Sequence, residues 1–231
     1  MASKAEELID KELADRLDRV AFHFQQRDSI RAELEKCIPS DPSGDPLKDS
    51  KIRELVTKIN NEEIGMLYEL VHLRDNAAKY FKVFQHKLSE LDVIDKFKPF
   101  RIASNYVNTH KHGTRGGNRP SAKHDYTAFI HARNPEEKPS AKDKVCDVRS
   151  MINYEGELFD SVELIESLIR IWEMFLRYHT KHDLSHFVEQ ISNVFARRQG
   201  QTLYSARIPE GVLDDAKVNA DARKHLRLSQ P

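Results

Sequence analysis

A long run of regularly spaced apolar residues constrains the fold of this chain more than any other sequence feature. Between positions 52 and 88 apolar side chains recur every three or four residues, which is typical of a helix with one buried face. The residues are Ile52, Leu55, Ile59, Met66, Leu70, Ala77, Phe81, Phe84 and Leu88. The pattern predicts one helix over residues 51–91, whose apolar stripe must be covered by other helices or by a second subunit.

A similar segment precedes it. Ser3 and Glu6 have the spacing of a capping box, which predicts a helix start, and the helix is expected to end around Cys37. Its buried stripe is predicted to contain Leu13, Leu17, Val20 and Phe24. Residues 38–50 hold three prolines and a glycine, which cannot continue a helix, so they form a linker. Two long helices joined in this way are predicted to pack as an antiparallel pair.

The period of the apolar residues changes in the second half of the chain. A short helix is predicted over residues 99–109, and two alternating patterns after it predict strands that form a hairpin. The alternating residues are Tyr126, Ala128, Ile130 and Ala132 in the first strand and Cys146, Val148, Ile152 and Tyr154 in the second. The pair Glu155-Gly156 is expected to turn the chain out of the second strand.

The last long helix is predicted to begin at Asp160, with Glu163 three residues later. Helicity is expected to continue to Arg198, with a break near Asp183. Its apolar face comprises Val162, Ile165, Leu168, Ile169, Trp172, Phe175 and Leu176. The elements together predict a mainly α fold, an antiparallel helical bundle with a small inserted β-hairpin. We expect one domain over residues 1–198, with the basic loop and hairpin at about 110–158, and a polar tail over residues 199–231.

The overall charge predicts no partner, because 37 basic and 37 acidic side chains cancel; any electrostatic argument must be local. Cys37 and Cys146 form no CxxC pair, which fits a reducing compartment better than a disulfide framework or a thiolate zinc site. The N-terminus has no apolar signal core, and no apolar stretch is long enough to span a bilayer. We therefore expect a cytoplasmic protein without a membrane partner.

A basic, histidine-rich segment covers residues 110–133, HKHGTRGGNRPSAKHDYTAFIHAR. Five basic residues against one acidic residue give it a formal charge of +4, and its paired glycines allow a close approach of the backbone, as a phosphate-bearing partner requires. The predicted phosphate-binding residues are Lys111, Arg115, Arg119 and Lys123, and the predicted base-stacking residues are Tyr106 and Tyr126. The alternative is a solvated loop without a ligand.

The histidines also raise the question of a metal site. His110, His112, His124 and His131 match no established ligand spacing and have no thiolates beside them, so we predict no metal and no cofactor. In the last helix, His179, His182 and His186 have spacings that place them on one helical face. Arg177, His182 and His186 are therefore an alternative helix site. Asp183 follows His182, so the HExxH signature is absent.

The order of elements resembles that of the HEPN superfamily of bacterial helical bundles. The similarity covers residues 50–190 and includes the phrase Asn-Tyr-Val-Asn-Thr-His-Lys-His-Gly from Asn105 to Gly113. Members of this superfamily bind nucleotides and often cleave RNA, and they are common in toxin–antitoxin and phage-defence systems. The resemblance implies a helical bundle, an RNA or nucleotide partner, and a cleavage site between the two protomers of a homodimer.

The catalytic motif of that superfamily is an arginine followed, after four to six residues, by a histidine. Three pairs have this spacing: Arg16 with His23, Arg119 with His124, and Arg177 with His182. Chance alone gives about two to three such pairs in a chain of this composition, so the spacing singles out no catalytic pair. Linear motifs of other enzyme classes, such as GxSxG, the P-loop and GxGxxG, are absent.

These observations predict a HEPN-like helical protein that binds RNA or nucleotide through residues 105–133. His110 and His112 are the candidate catalytic residues, because an imidazole titrates near neutrality and can both accept and donate a proton. The sequence thus supports binding of RNA or a nucleotide, but no motif in it supports RNA cleavage. The alternative function is a non-enzymatic oligomeric scaffold or interaction module, whose partner would cover the stripe between residues 52 and 88.

Overall fold

The two longest helices form an antiparallel pair. A computed structural model describes residues 4–38, 49–112, 122–131, 145–182 and 202–204. Helix α1 spans Lys4–Cys37 and α2 spans Ser50–Val83. Lys79 of α2 pairs with Glu12 of α1 at 3.0 Å, whereas Lys51 pairs with Glu33 at 3.1 Å, so the start of one helix lies beside the end of the other. The predicted antiparallel pair is confirmed. Ser3 and most of the predicted linker lie outside the described residues.

The apolar stripe of α2 is covered within the chain. Its buried members are Ile52, Leu55, Ile59, Met66, Leu70, Ala77 and Phe81. The larger core cluster joins α2 to α1 and to two later helices, α4 (Lys98–His112) and α5 (Ser161–His179). These helices therefore bury the seven members of the stripe from Ile52 to Phe81 within the chain.

The predicted helix over residues 51–91 is wrong in its last turns. Helix α2 ends at Val83, and Gln85 then adopts a left-handed conformation with φ of 59°. The amide of His86 donates to the carbonyl oxygen of Phe81 at 2.9 Å, which is the reversal of a Schellman motif. Leu88 is consequently 43% exposed and not part of the buried stripe. A 3₁₀ turn (Leu88–Leu91) and the short helix α3 (Asp92–Lys96) lead into α4.

The β-structure is an antiparallel sheet with the strand order β3-β2-β1-β4. Its strands are β1 (Ala122–His131), β2 (Val145–Tyr154), β3 (Glu157–Asp160) and β4 (Thr202–Tyr204). The predicted hairpin of β1 and β2 is confirmed, whereas β3 and β4 were not predicted. Glu155 and Gly156 form the two-residue turn between β2 and β3. Their φ angles of 54° and 86° are both positive, as the two central residues of a type I′ turn require.

Helix α5 confirms the predicted N-cap and apolar face. The Asp160 carboxylate accepts a hydrogen bond from the Val162 amide at 2.8 Å. All seven predicted face residues are buried, and Trp172 at 0% exposure donates its indole N–H to the carbonyl oxygen of Leu70 at 2.9 Å. The helix ends at His179, so the prediction that helicity continues through His182 is wrong. His186 lies outside the described residues.

A buried polar cluster lies between two apolar clusters. The smaller apolar cluster contains Leu34, Ile52, Leu55, Val56, Ile59 and Val148. Between it and the larger core, Arg27 is 2% exposed and donates to Glu63 at 2.8 Å and to Asp147 of β2 at 2.7 Å. Ser161 donates to the second oxygen of Glu63 at 2.5 Å. This Arg27 cluster therefore connects α1, α2, β2 and the start of α5 through charged side chains.

Charge pairing stabilises the Arg27 guanidinium. Burial by itself disfavours this cation, but the nearby carboxylates of Asp147 and Glu63 outweigh that effect and raise the pKa of Arg27 above its usual value. The Nη1 atom of Arg27 is buried and has no hydrogen-bond partner among the described residues. The cluster is thus strongly paired but not fully satisfied.

Candidate functional site

The C-terminal end of α4 presents the start of the basic segment to solvent. One face of this helix is buried and includes Phe100, Ala103 and Val107. His110 and Lys111, which follow that face by one turn, are exposed. The amphipathic pattern of α4 therefore places a candidate catalytic residue and a candidate phosphate-binding residue together at an exposed helix end.

Tyr106 does not have the position that base stacking requires. Its side chain is 3% exposed and belongs to the larger core cluster. A base needs an open ring face, and this ring is packed inside the protein. The predicted stacking role is therefore wrong for Tyr106, because the residue lies on the buried face of α4. The side chain of Tyr126 lies outside the described residues, although its backbone belongs to β1.

An aromatic pair on α2 lies close to Lys111. The rings of Tyr68 and His72 are stacked, with centroids 4.1 Å apart and an interplanar angle of 23°. The Lys111 ammonium lies 6.0 Å from the centroid of the Tyr68 ring, a cation–π distance. Both rings are partly exposed. The sequence indicates this pair only through the i, i+4 spacing of its two ring-bearing residues, which places them side by side on a helix.

Lys123 and His124 of the basic segment lie on β1, and their surroundings differ. Lys123 is exposed. The His124 ring is largely buried, and burial lowers its pKa to about 4 although Asp125 partly opposes the shift. His124 is consequently neutral at pH 7 and adds no positive charge for a phosphate.

His124 belongs to a chain of polar contacts between α2 and the sheet. Its Nε2 lies 3.2 Å from the Thr127 hydroxyl oxygen, which accepts a hydrogen bond from the Asn60 amide at 3.0 Å. The Ser150 hydroxyl donates to the Asn60 carbonyl oxygen at 2.5 Å. Asn60 thereby attaches both β1, the strand that carries Lys123, and β2 to α2.

Several predicted site residues lie partly or wholly outside the described residues. Arg115 and Arg119 lie outside the described residues. The backbone of His112 ends α4 and that of His131 ends β1, while their side chains lie outside the described part. Of the four predicted phosphate-binding residues, the structure therefore describes the side chains of Lys111 and Lys123.

The two described residues of the alternative helix site, Arg177 and His182, bind separate carboxylates. Arg177 pairs with Glu173 within α5 at 2.5 Å. His182 follows the end of that helix and bonds instead to Asp10 of α1 at 2.9 Å. The prediction that His179 and His182 share one helical face is wrong, because the helix ends between them.

Arg16 and His23, which have the arginine–histidine spacing, each bind a different carboxylate of α2. Arg16 donates to Glu69 at 2.6 Å, and the His23 ring lies 2.7 Å from Glu62. These contacts hold α1 against α2. Arg16 and His23 therefore contact different carboxylates that join the two helices, and neither contact links the two side chains to each other.

Within the described ranges, no three histidine, cysteine, aspartate or glutamate side chains are grouped as a metal ion would require. None of the helices described combines the length and the apolar composition needed to cross a membrane.

Comparison of the chain with protein-family models, with curated proteins and with solved structures finds no match.

Proposed function

We propose that this chain binds a phosphate-bearing partner, RNA or a nucleotide, through the surface at the end of α4. This surface consists of His110, Lys111, Lys123 and the stacked pair Tyr68 and His72. It extends the predicted basic segment with an aromatic platform on α2 that replaces Tyr106.

The observation that carries the proposal is the position of the Lys111 ammonium, 6.0 Å from the ring of the stacked Tyr68–His72 pair. Surfaces that bind single-stranded nucleic acid combine cations for the backbone with rings on which bases stack. Lys111 and Tyr68 bring these two chemistries together. The arrangement favours a partner with unpaired bases, since a duplex does not offer its base faces.

The described ends of the basic segment support the same partner. Lys111 lies near the end of α4 and Lys123 near the start of β1, both are exposed, and α4 packs against β1. Two cations held on adjoining elements can contact successive phosphates of one strand. The local positive charge attracts such a strand in a chain that is neutral as a whole.

Replacing Lys111 and Lys123 by glutamine is expected to weaken binding to single-stranded RNA and to flatten its salt dependence. Each phosphate contact in a single strand contributes about 0.7 to the slope of log affinity against log salt. Loss of both contacts should therefore reduce the slope by about 1.4. Fluorescence anisotropy with labelled oligo(U), measured over a series of salt concentrations, gives this slope.

Two further variants make the measurement specific. Lys58→Gln removes an exposed lysine that pairs with Glu54 on α2, and it should leave the slope unchanged. Tyr68→Leu keeps an apolar side chain but removes the ring, so affinity should fall by about 1–3 kcal/mol per stacked base with an unchanged slope. An affinity of the wild type that does not vary with salt would contradict the proposal.

The HEPN resemblance extends the proposal to an enzyme. In that extension a homodimer cleaves the bound RNA, and the exposed His110 acts as the acid–base group. RNA degradation by the wild type and by a His110→Ala/His112→Ala variant tests it. Equal rates of RNA degradation would exclude His110 and His112 as the catalytic residues. A strictly monomeric protein in light scattering would exclude a cleavage site between two protomers.

A further inference from the structure

A cleft of about 260 Å³ opens between α1 and α2 on the side of Glu69. Its lining residues are Glu12, Asp15, Arg16, Arg19, Asn76 and Lys79. Whole-ligand pockets usually have about 300–1,000 Å³. The cleft is therefore of a size for a single ring system and too small for an entire dinucleotide.

The cations of this cleft already have partners. Arg16 and Arg19 both bind one oxygen of Glu69, at 2.6 and 3.0 Å, and Lys79 binds Glu12 at 3.0 Å. With Asp15 included, the three positive and three negative charges cancel. Such a cleft attracts a free phosphate weakly, and it suits an uncharged group that offers hydrogen bonds.

Polar atoms in the cleft indicate where such a group would bind. The Nε of Arg16 is buried and has no acceptor in the part of the chain that the structure describes. Asn76 is 7% exposed and lines the same cleft, where its amide carries both a donor and an acceptor. Buried polar groups are nearly always paired, so the Arg16 donor calls for an acceptor, and Asn76 can offer a further donor and acceptor to the group that supplies it.

The cleft adjoins the aromatic pair along α2. Asn76 follows His72 by four residues and Tyr68 by eight, so all three lie on one side of the helix, with a rise of about 6 Å for every four residues. A strand stacked on Tyr68 and His72 would bring its next base to Asn76. Asparagine binds a base through a bidentate pair of hydrogen bonds, which discriminates between bases.

We infer that this cleft receives the hydrogen-bonding edge of a nucleobase and that Asn76 determines which base is preferred. The inference rests on the proposed function, since it assigns base selectivity to the same surface. Lys111 and Lys123 contact the backbone, Tyr68 and His72 stack on bases, and Asn76 provides the selection.

The test compares binding of oligo(A), oligo(C) and oligo(U) to the wild type and to Asn76→Asp. A bidentate contact discriminates by about 1–3 kcal/mol, or roughly 5- to 150-fold, so the wild type should prefer one oligomer by at least about fivefold. Asn76→Asp keeps the shape of the side chain but removes its amide donor, so the preference should fall to within about twofold. Asn61→Asp, at an exposed position of α2, is the matched control and should keep the preference.

The outcomes separate the two proposals. Salt-dependent binding of all three oligomers without a base preference, or with a preference that Asn76→Asp retains, overturns the role of Asn76 and leaves the proposed function standing. Failure of every oligomer to bind the wild type overturns the proposed function as well. Thermal unfolding of each variant verifies that it is folded, and Asn76→Ser, which also lacks the bidentate amide, replaces Asn76→Asp if the latter does not fold.

Discussion

Replacing Arg27 by methionine is expected to lower the free energy of unfolding by about 3–5 kcal/mol, because breaking a buried ion pair leaves its partner charges uncompensated. The Glu63 and Asp147 carboxylates are both 1% exposed and bind this guanidinium. Methionine fills much of the volume but gives neither of them a hydrogen bond. Urea denaturation at pH 7, followed by circular dichroism, measures the loss.

Two comparisons isolate the buried charge as the cause. Arg170→Met removes a guanidinium that is 53% exposed and pairs with Glu166 one turn away, and it should cost about 0.5 kcal/mol or less. Adding Glu63→Gln and Asp147→Asn to Arg27→Met removes the uncompensated charges and should restore part of the stability. A loss below about 1 kcal/mol for Arg27→Met, an ordinary value for a substitution, would mean that the cluster is not desolvated as described.

Acidification should destabilise the protein through His124. In the unfolded chain this imidazole takes up a proton below its ordinary pKa of 6.5, whereas burial lowers the folded-state pKa to about 4. The unfolded state therefore binds more protons between these values, so stability is full above pH 6.5 and falls as the pH decreases to about 4. The shift corresponds to a loss of up to about 3 kcal/mol.

The variant His124→Gln lacks the titrating group and should lose less stability than the wild type between pH 7 and pH 4. Lys123→Gln is the matched control, because it changes the adjacent exposed residue and leaves the His124 imidazole in place. Urea denaturation at both pH values gives the differences. Equal acid-induced losses in the wild type and in His124→Gln would show that His124 is not protected from protonation in the folded protein.

The sequence predicted those parts of the fold that depend on local periodicity. The stripe of α2, the face of α5 and the N-cap at Asp160 follow from which neighbours along a helix share a side. The hairpin of β1 and β2 follows in the same way from alternation. Each of these predictions needs only residues that are close in the chain.

Features that depend on distant residues were missed or misplaced. Nothing near Arg27 in the sequence indicates that it is buried, because its partner Asp147 lies 120 residues away. The end of α2 was misplaced because Gln85 adopts a conformation that usually marks a glycine. The sequence predicts a stacking role for Tyr106, but helices elsewhere in the chain bury this side chain of α4.

The side chain of Asn60 joins α2 to both strands of the hairpin, through Thr127 and Ser150. It consequently ties the strand that carries Lys123 to the same helix that carries Tyr68 and His72. Groups held by one rigid frame before they meet a partner lose little conformational entropy on association. If the proposed function holds, the geometry of the binding surface is thus established during folding, and a strand that fits it needs to reorganise only itself.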